Sequence, residues 1–463
     1  MKHTIVLLLF SALVLPAAAR AKQEVPASEH TLAHDLLSQM VGTDTTSDRG
    51  TTGLVNQLAQ RFLRAGFPRE DVQTVGSDPK RMNLVVRLRG RGERPPILLL
   101  GHLDVVPVDR ASWHSNPFEL TERDGYFYGR GTMDIKGADA GLVATFLRMH
   151  REHFVPKGDY VLALTAGEED GVSNGIEWLL ANRPDLIRSK YSLNVDGGGP
   201  EIRNGRVEIV AVETAEKAYA SFTLTAHGPG GHSSIPEGHN PIYRLAAGLG
   251  NLSSLQFPLA TNSATRAYYA QLASLSTGQP AANMRAVAHD PSDAAALRRL
   301  AASTPYNNAH LRTTCVPTLL AGGDAENALP QVARATVNCR IMPGVPPAQV
   351  QARIAHAVGD PSIAVAPVAP APTAPPSPID KALFAQIGHA AEQVWGRAIP
   401  VSAYMSAGAS DSVFLRAAGM PSYVFNGIAY DVNDDRSHAP NERILVHSFH
   451  ESLEFDYLLL KSL

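Results

Sequence analysis

The sequence predicts an α/β fold in which a layered domain is interrupted by an inserted domain and completed by the C-terminal part of the chain. Between residues 31 and 212, short apolar runs alternate with amphipathic helical stretches, which is typical of a sheet covered by helices. Strand-like alternation over 207–226 is followed by a Gly- and Pro-rich stretch, and seven prolines fall between Pro361 and Pro378. The proline segment favours an extended edge or a linker at a domain junction. The layered pattern resumes after it.

Length and charge limit the class of protein. At roughly 100–200 residues per domain, 463 residues allow two to four domains. The 41 basic and 44 acidic residues give a net charge of −3, which offers no basic excess for a nucleic-acid partner. Cys315 and Cys339 are the two cysteines, too few for a disulfide framework or a Cys-rich zinc site. Any bound metal must therefore have histidine and carboxylate ligands.

The N-terminus has the pattern of a secretory signal peptide, predicted over residues 1–21. A basic residue precedes the apolar run Ile5–Leu15, and small residues follow with A-x-A patterns ending at Ala19 and at Ala21. The apolar run is too short for a membrane span of about 20 residues, so we expect no membrane association after cleavage. We expect a secreted or periplasmic protein. Export permits a disulfide between the two cysteines, although the sequence favours two free buried thiols.

The elements and domain limits follow from these patterns. We predict strands at Asn83–Leu88, Ile97–Gly101, Tyr160–Ala166, Ser192–Val195 and Ser422–Phe425. We predict helices at Leu32–Met40, Gly53–Ala65, Gly137–His153, Gly175–Asn182, Asp380–Val394 and Asp411–Ala418. The layered domain is then expected over 22–213 and 371–463, with the inserted domain over 214–370.

Metal-ligating side chains follow three of the predicted strands. The strand Ile97–Gly101 ends at His102, the next strand along the chain precedes Glu168 and Glu169, and the third precedes Asp196. In open α/β sheets, ligands bind outside the carboxyl ends of the strands, where these groups would meet. Several carboxylates gathered there repel one another unless a cation compensates them. Histidine with carboxylates suits zinc, or less decisively manganese or cobalt.

Two further segments supply candidate ligands. The Gly-rich loop GRGTMD delivers Asp134 just before a helix, and the motif SHAPNE presents His438 in a loop near the C-terminus. Taken alone, an aspartate in a Gly-rich loop or a histidine in a surface loop is common in proteins and does not indicate a metal site. Their order along the chain makes them informative.

Six motifs, GHLDVVP, GRGTMDIKG, GEED, NVDGGG, GGHSSIP and SHAPNE, run along almost the whole chain. In this order they resemble the co-catalytic zinc metallopeptidase family of aminoacylases, acetylornithine deacetylase, succinyl-diaminopimelate desuccinylase and carboxypeptidases G and S. The resemblance covers about 30–460, and the segments Trp113–Phe118 and Asp124–Gly131 are most similar to the carboxypeptidase S-like branch. It implies a zinc-peptidase-like catalytic domain with a central mixed sheet, interrupted by an inserted α+β lid and dimerisation domain.

The resemblance also implies roles for individual residues. Two zinc ions would share five ligands, with Asp134 as the bridge: His102, Asp134 and Asp196 around one metal, and Asp134, Glu169 and His438 around the other. Glu168 would be the general acid/base for the hydrolytic water. Asp104 resembles the carboxylate that orients His102, in agreement with the usual pairing of a ligating imidazole with a carboxylate.

The inserted domain and the second half contribute substrate-binding candidates. His232 resembles the lid histidine that, in family dimers, reaches the partner's active site and helps to bind the developing oxyanion. Asn327 resembles an asparagine that faces the substrate, and Arg340 resembles the arginine that holds the substrate carboxylate. Ser410 opens a predicted helix whose free N–H groups favour an anion. Here the sequence has Gly-Ala-Ser-Asp where the family usually has Gly-Gly-Thr-Asp.

These inferences predict a secreted dizinc hydrolase that cleaves an amide bond beside a free carboxylate, as a carboxypeptidase or dipeptidase and as a homodimer. One alternative is an N-acyl-amino-acid amidohydrolase, so the substrate is a small peptide or an N-acyl amino acid. A non-catalytic metal-dependent peptide-binding protein is the alternative of another class, and the presence of Glu168 disfavours it. The sequence contains no H-E-x-x-H, G-x-S-x-G, Walker loop or complete G-x-G-x-x-G motif.

Overall fold

The structure is a computed structural model that describes residues 25–236 and 238–463. The predicted signal peptide lies outside the described residues. The described helices are α1 (Ala27–Val41), α2 (Thr52–Arg64), α3 (Gly137–Arg151), α4 (Gly175–Asn182), α5 (Pro184–Ile187), α6 (Pro241–Leu252), α7 (Ser263–Leu275), α8 (Gly278–His289), α9 (Ala294–Ser303), α10 (Pro305–Leu311), α11 (Pro347–Val358), α12 (Lys381–Trp395), α13 (Ser412–Ala417) and α14 (Val446–Ser462). None of these helices is both long enough and apolar enough to cross a membrane.

The strands form one large and one smaller sheet, with two short ribbons. They are β1 (Val72–Val75), β2 (Asn83–Leu88), β3 (Ile97–His102), β4 (Thr121–Arg123), β5 (Tyr126–Tyr128), β6 (Tyr160–Thr165), β7 (Ser192–Asn194), β8 (Gly199–Arg203), β9 (Arg206–Glu216), β10 (Ala218–His227), β11 (Gly231–His232), β12 (Thr314–Gly322), β13 (Ala328–Leu329), β14 (Val332–Ile341), β15 (Ala364–Pro367), β16 (Val401–Ser406), β17 (Ser422–Val424), β18 (Tyr430–Asp431) and β19 (Arg443–Leu445).

The large sheet is mixed, as the resemblance implies. Its order is β1-β2-β6-β3-β7-β17-β9-β8-β18, with β16 also pairing with β9. Strands β6, β3, β7 and β17 run parallel to one another. Strands β1 and β2 pair antiparallel with their neighbours, and β8 pairs antiparallel with β9 but parallel with β18. The C-terminal strand β17 lies inside this sheet, so the end of the chain does complete the first layered unit.

Helices cover both faces of the large sheet. One face packs against α1, α3, α12 and α14 through residues such as Leu37, Phe146, Ile387 and Phe455. The other face packs against α4, α5 and α13. Every residue of β3 and β6 is buried. Runs such as Ile97–Leu100 are continuously apolar because parallel strands in the middle of a covered sheet have no solvent face.

The smaller sheet has the order β12-β14-β10-β15, and α6 and α11 cover one of its faces. Strand β15 comes from the proline-rich segment and pairs only at the sheet edge, which confirms the prediction of an extended edge. Cys315 on β12 lies directly opposite Cys339 on β14, and the two form a disulfide. The preference for two free thiols was therefore wrong, because strand register brings together two cysteines that are 24 residues apart.

The helices α7 to α10 form a small bundle with its own apolar core, which includes Tyr269, Leu297 and Leu311. Helix α7 packs against β16 and β9 of the large sheet. This part of the segment 214–370 therefore lies on the large sheet, whereas β10, β12, β14 and β15 build the smaller one.

Candidate active site

Three neighbouring strands bring their C-terminal ends to one edge of the large sheet. Strand β3 ends at His102 and lies between β6 and β7, parallel to both. Glu168 and Glu169 follow β6, and Asp196 follows β7. Parallel strands have their carboxyl ends at the same edge, so these side chains converge as the sequence analysis expected.

His102, Asp134 and Asp196 form the first candidate metal group. His102 Nε2 lies 3.1 Å from Asp134 Oδ1 and 3.7 Å from Asp196 Oδ1. One potential ligand atom from each residue lies within 4.8 Å of the other two. This is the donor set that the sequence analysis assigned to one metal ion.

Asp134, Glu169 and His438 form the second group. His438 Nε2 lies 3.0 Å from Asp134 Oδ2 and 2.9 Å from Glu169 Oε2. Asp134 therefore faces one histidine with each of its two carboxylate oxygens. This geometry is that of a bridging carboxylate between two neighbouring sites.

Electrostatics support a cation at both groups. Although burial alone disfavours a charged imidazole, Asp196 and Asp134 raise the pKa of His102 well above its usual value. Hydrogen bonds to Asp134 and Glu169 raise the pKa of His438 to about 10. Glu169 Oε1 is buried without a hydrogen-bond partner among the described residues. Metal binding displaces such protons and gives the buried oxygen a cation to coordinate, so the donor set fits a metal pair.

Glu442, which the sequence analysis quoted within SHAPNE without assigning a role, holds the loop of Asp134. Its Oε1 accepts hydrogen bonds from the backbone N–H groups of Met133 (2.7 Å) and Asp134 (2.9 Å). Its Oε2 accepts from the backbone N–H of Gly131 (3.0 Å) and from Arg130 Nη1 (2.6 Å). The carboxylate is fully buried. One side chain thus ties the loop of the bridging ligand to the loop that carries His438.

The Asp104 carboxylate lies within ion-pair distance of His102 and also binds the backbone of the adjacent glutamates. His102 Nδ1 lies 3.0 Å from the backbone carbonyl of Asp104, whereas the nearest Asp104 carboxylate oxygen is 3.8 Å away. The carboxylate also accepts the backbone N–H groups of Glu168 (3.3 Å) and Glu169 (3.0 Å). Asp104 therefore orients the adjacent glutamates, and its main chain orients the histidine.

Glu168 is partly buried at the end of β6. Burial, together with the charge of Asp196, raises the pKa of Glu168 well above its usual range. Glu168 is not among the residues of either candidate metal group. A carboxyl group with a raised pKa beside a metal site has the properties of a general acid/base.

Ser410 is not free to bind a substrate carboxylate as predicted. Its backbone N–H and its hydroxyl both donate to Glu216 Oε2, at 2.9 and 2.8 Å. Glu216 is also paired with Arg416 Nη1 at 3.0 Å. The anion at this helix start is thus an internal carboxylate at the end of β9. The sequence pattern identified the anion preference but could not show that the chain satisfies it itself.

Arg340 on β14 is half-buried against an aromatic ring. Its guanidinium lies 4.7 Å from the ring centre of Tyr219, its partner on β10. Burial lowers the pKa of Arg340, and the charges of Tyr219 and Glu168 oppose that shift.

His232 and Asn327 lie together on the smaller sheet's periphery. Strand β11 pairs with β13, and the backbone N–H of Ser233 donates to the Asn327 carbonyl at 3.1 Å. Both predicted residues are exposed. Within the described part of the chain, no hydrogen bond or ion pair connects His232 to the candidate metal ligands.

Asp139 is a second site residue that sequence reasoning missed. It lies on α3 against Gly101, where an added Cβ would come within 1.9 Å of Asp139 Oδ1. Both carboxylate oxygens lack hydrogen-bond partners in the described residues. Burial raises the pKa of Asp139 well above its usual value, and His102 opposes that shift. The pattern in GRGTMDIKGAD offered no signal, because an acid in the first turn of a helix is a common cap.

The chain is similar to proteins of a known family. The sequence profile of peptidase family M20/M25/M40 matches residues 98–462. Human N-fatty-acyl-amino acid synthase/hydrolase PM20D1 is 28% identical over 377 residues, which cover 79% of this chain and 74% of that protein.

Solved structures show the same fold. The M20 family metallo-carboxypeptidase Sso-CP2 from Sulfolobus solfataricus has a TM-score of 0.67 at 17% identity, with 93% of this chain and 98% of that chain covered. Human carnosine dipeptidase 1 has a TM-score of 0.62 at 15% identity, with 94% and 97% covered.

Proposed function

This chain belongs to peptidase family M20/M25/M40, and we propose that within this family of metal-dependent amide hydrolases it is a dizinc carboxypeptidase or dipeptidase. The observation that carries the proposal is that Asp134 is shared by two three-residue groups, each with one histidine and two carboxylates. Its substrate is a small peptide whose scissile amide lies beside a free carboxylate.

The donor chemistry supports zinc. Each group offers one imidazole nitrogen and carboxylate oxygens without a thiolate, a set that zinc accepts and that cobalt or manganese also tolerates. When bound, the metal pair supplies Lewis acidity to the scissile carbonyl and to the attacking water. Glu442 holds the Asp134 loop in place by four hydrogen bonds, so the bridging ligand is positioned before substrate binds.

Glu168 provides the proton transfers. Its raised pKa suits a group that takes a proton from the attacking water and returns it to the leaving amine. The carboxylate of Asp104 holds the backbone at Glu168 and Glu169, so the base and its neighbouring ligand are oriented together.

Arg340 binds the substrate carboxylate. A planar guanidinium can bind a carboxylate through two hydrogen bonds, and the Tyr219 ring fixes the plane of this one. Holding the carboxylate on β14 while the amide lies at the edge of the large sheet aligns the scissile bond with the base.

A substrate panel tests this function. Purified protein loaded with zinc is assayed on dipeptides and on N-acyl amino acids, with a chelator-treated sample as control. Hydrolysis of dipeptides that stops after metal removal is expected. Selective hydrolysis of N-acyl amino acids would instead favour the second candidate, an N-acyl-amino-acid amidohydrolase, which the similarity to human PM20D1 supports. Metal-dependent peptide binding without turnover would leave only the non-catalytic alternative.

We further propose that the protein is exported as a secreted or periplasmic enzyme. The predicted signal peptide 1–21 and the Cys315–Cys339 disulfide support this location, because disulfides persist in oxidising compartments. Cell fractionation with N-terminal sequencing is the test. A mature chain beginning after Ala19 or Ala21 is expected, and an unprocessed cytosolic chain would contradict the proposal.

We also propose a homodimer built through the smaller sheet. Strand β12 is at the sheet edge and exposes Val316, Leu319 and Leu320. An exposed apolar edge strand is a template for pairing with another strand. Among the residues that the structure describes, no hydrogen bond or ion pair joins His232 to the metal groups of its own chain, which agrees with a role at the partner's site.

A further inference from the structure

A cavity of about 230 Å³ adjoins the candidate metal groups. It is bounded by β9, by β16 and by the loop that carries β18. Glu168 does not line it. Its carboxylates are Asp134, Asp196, Glu213, Asp431, Asp434 and Asp435, and Arg443 is its cation.

Most of these carboxylates already have partners or other roles. Asp134 and Asp196 are candidate metal ligands. Asp434 pairs with Arg443 at 2.7 Å, so the cavity's cation is already neutralised. The remaining two loop aspartates accept backbone N–H groups within their own turns and are partly or fully open to solvent. Glu213 is the one carboxylate of this cavity to which none of these roles applies.

Glu213 on β9 is buried, with 5% of its surface exposed. Among the described residues Glu213 has no salt bridge: the neighbouring guanidinium of Arg416 pairs with Glu216, and the Glu213 carboxyl accepts a backbone hydrogen bond from Gly198. Burial and the charge of Glu216 raise the pKa of Glu213 well above its usual value. A Cβ at position 197 would lie 2.8 Å from Glu213 Oε1, so Gly197 leaves space beside the carboxylate. A buried carboxylate that faces a cavity without a compensating cation is stabilised when a cation enters.

Tyr404 on β16 presents a hydrogen-bond acceptor to the same cavity. His310 Nδ1 lies 2.9 Å from the backbone carbonyl of Tyr306, so this nitrogen carries the proton. His310 Nε2 is then the acceptor for the Tyr404 hydroxyl at 3.1 Å. The hydroxyl proton of Tyr404 is therefore directed toward His310. The hydroxyl oxygen of Tyr404 accepts a hydrogen bond from the Tyr306 hydroxyl at 3.2 Å. A lone pair of Tyr404 remains for a donor in the cavity.

We propose that Glu213 and Tyr404 form an amine subsite, which binds the free amino group of the residue on the acyl side of the scissile bond. An ammonium group would be a cationic partner for the Glu213 carboxylate and would donate a hydrogen bond to the Tyr404 oxygen. An N-acyl amino acid without that amino group leaves Glu213 uncompensated. The inference rests on the proposed function and narrows its substrate class to peptides with a free N-terminus.

A matched substrate pair tests the subsite. Alanyl-phenylalanine and propionyl-phenylalanine differ only by the amino group, so the ratio of their kcat/KM values isolates its contribution. We expect the zinc-loaded wild type to prefer alanyl-phenylalanine by about 10–100-fold, the factor for one charged hydrogen bond. Glu213→Gln should lower kcat/KM for alanyl-phenylalanine about 10–100-fold more than for propionyl-phenylalanine. Tyr404→Phe should reduce the preference by about 3–10-fold.

The control variant is Glu208→Gln, on the same strand but paired with Arg206 outside the cavity, and it should keep the wild-type ratio. Equal wild-type turnover of both substrates, or equal losses on both in Glu213→Gln, would overturn the subsite while leaving the hydrolase function intact. Turnover of neither substrate would contradict the proposed function. If Glu213→Gln does not fold, as judged by circular dichroism and metal content, the Tyr404→Phe ratio decides.

Discussion

The edge of the large sheet and the free edge of the smaller sheet have opposite imbalances. At the first, acidic side chains are buried around Asp134 and Asp196 with few internal cations. At the second, β12 exposes apolar side chains, and Leu319 and Leu320 are 68% and 71% exposed. Both arrangements carry a cost for an isolated chain, one for buried charge and the other for apolar surface in water.

The difference indicates which partner each region requires. Buried carboxylates are compensated by cations, which at this edge we propose to be two metal ions and a substrate ammonium group. Exposed apolar strand edges are compensated by another polypeptide. The following predictions test whether the first edge depends on metal and substrate, and the second on a partner chain.

The largest effect is expected for Asp134→Ala, which removes the side chain shared by both groups. We expect loss of both metal ions and hydrolysis reduced to background, because Asp134 is the one carboxylate in the described part of the chain that contacts both histidines. Metal analysis and turnover of a dipeptide are the measurements. Asp35→Ala, an exposed aspartate on α1, is the matched control and should keep both. Full metal content in Asp134→Ala would show that Asp134 does not bridge the two metal sites.

Glu168→Ala separates chemistry from metal binding. Both metal ions should stay, because Glu168 belongs to neither group. Loss of the general base should lower kcat by about 10²–10⁴-fold. Near wild-type turnover would show that another group transfers the proton, and loss of metal would mean that Glu168 and Glu169 exchange roles.

Arg340→Ala tests the reading of the substrate carboxylate. The wild type should hydrolyse a free-acid dipeptide about 10²-fold more efficiently than its C-terminal amide, and the variant should lose most of that preference. The readout is the ratio of kcat/KM values for the two substrates. Equal wild-type turnover of acid and amide would contradict recognition of the carboxylate and would favour an aminopeptidase-like function.

The smallest direct effect on the metal groups is expected at the smaller sheet, where the variants change assembly. Leu319→Lys with Leu320→Lys places charges on β12 and should convert a dimer to a monomer in sedimentation. Val155→Lys, at an exposed apolar residue in the loop after α3, is the control and should leave assembly unchanged. A wild-type protein that sediments as a fully active monomer at assay concentration would refute the dimer.

Local patterns predicted much of the catalytic sheet. Strands β2, β3, β6 and β7 were placed correctly, with the ligand candidates at the ends of three of them, because buried parallel strands produce continuous apolar runs. The convergence of His102, Glu169 and Asp196 followed from the rule that ligands bind at the carboxyl ends of strands. The assignment of metal and catalytic roles to these residues stays a prediction.

Contacts between distant segments could not be predicted in the same way. Glu442 reaches the loop of Asp134 across more than 300 residues of chain, and Ser410 is satisfied by Glu216 from another strand. The Asp104 carboxylate accepts the backbone N–H of Glu168 in addition to lying 3.8 Å from His102 Nδ1. In each case the hydrogen-bonding capacity was visible in the residue type, but the partner was set by packing.

The sequence by itself determined the α/β class, the order of the metal-ligand candidates and the elements that carry them, because these depend on periodicity and on residue chemistry along short stretches. The tertiary structure decided the disulfide, the internal anion at Ser410 and the isolation of Glu213 beside a cavity. These features depend on strand register and on which side chains share a buried space. Both are properties of segments far apart in the chain, so no local pattern contains them.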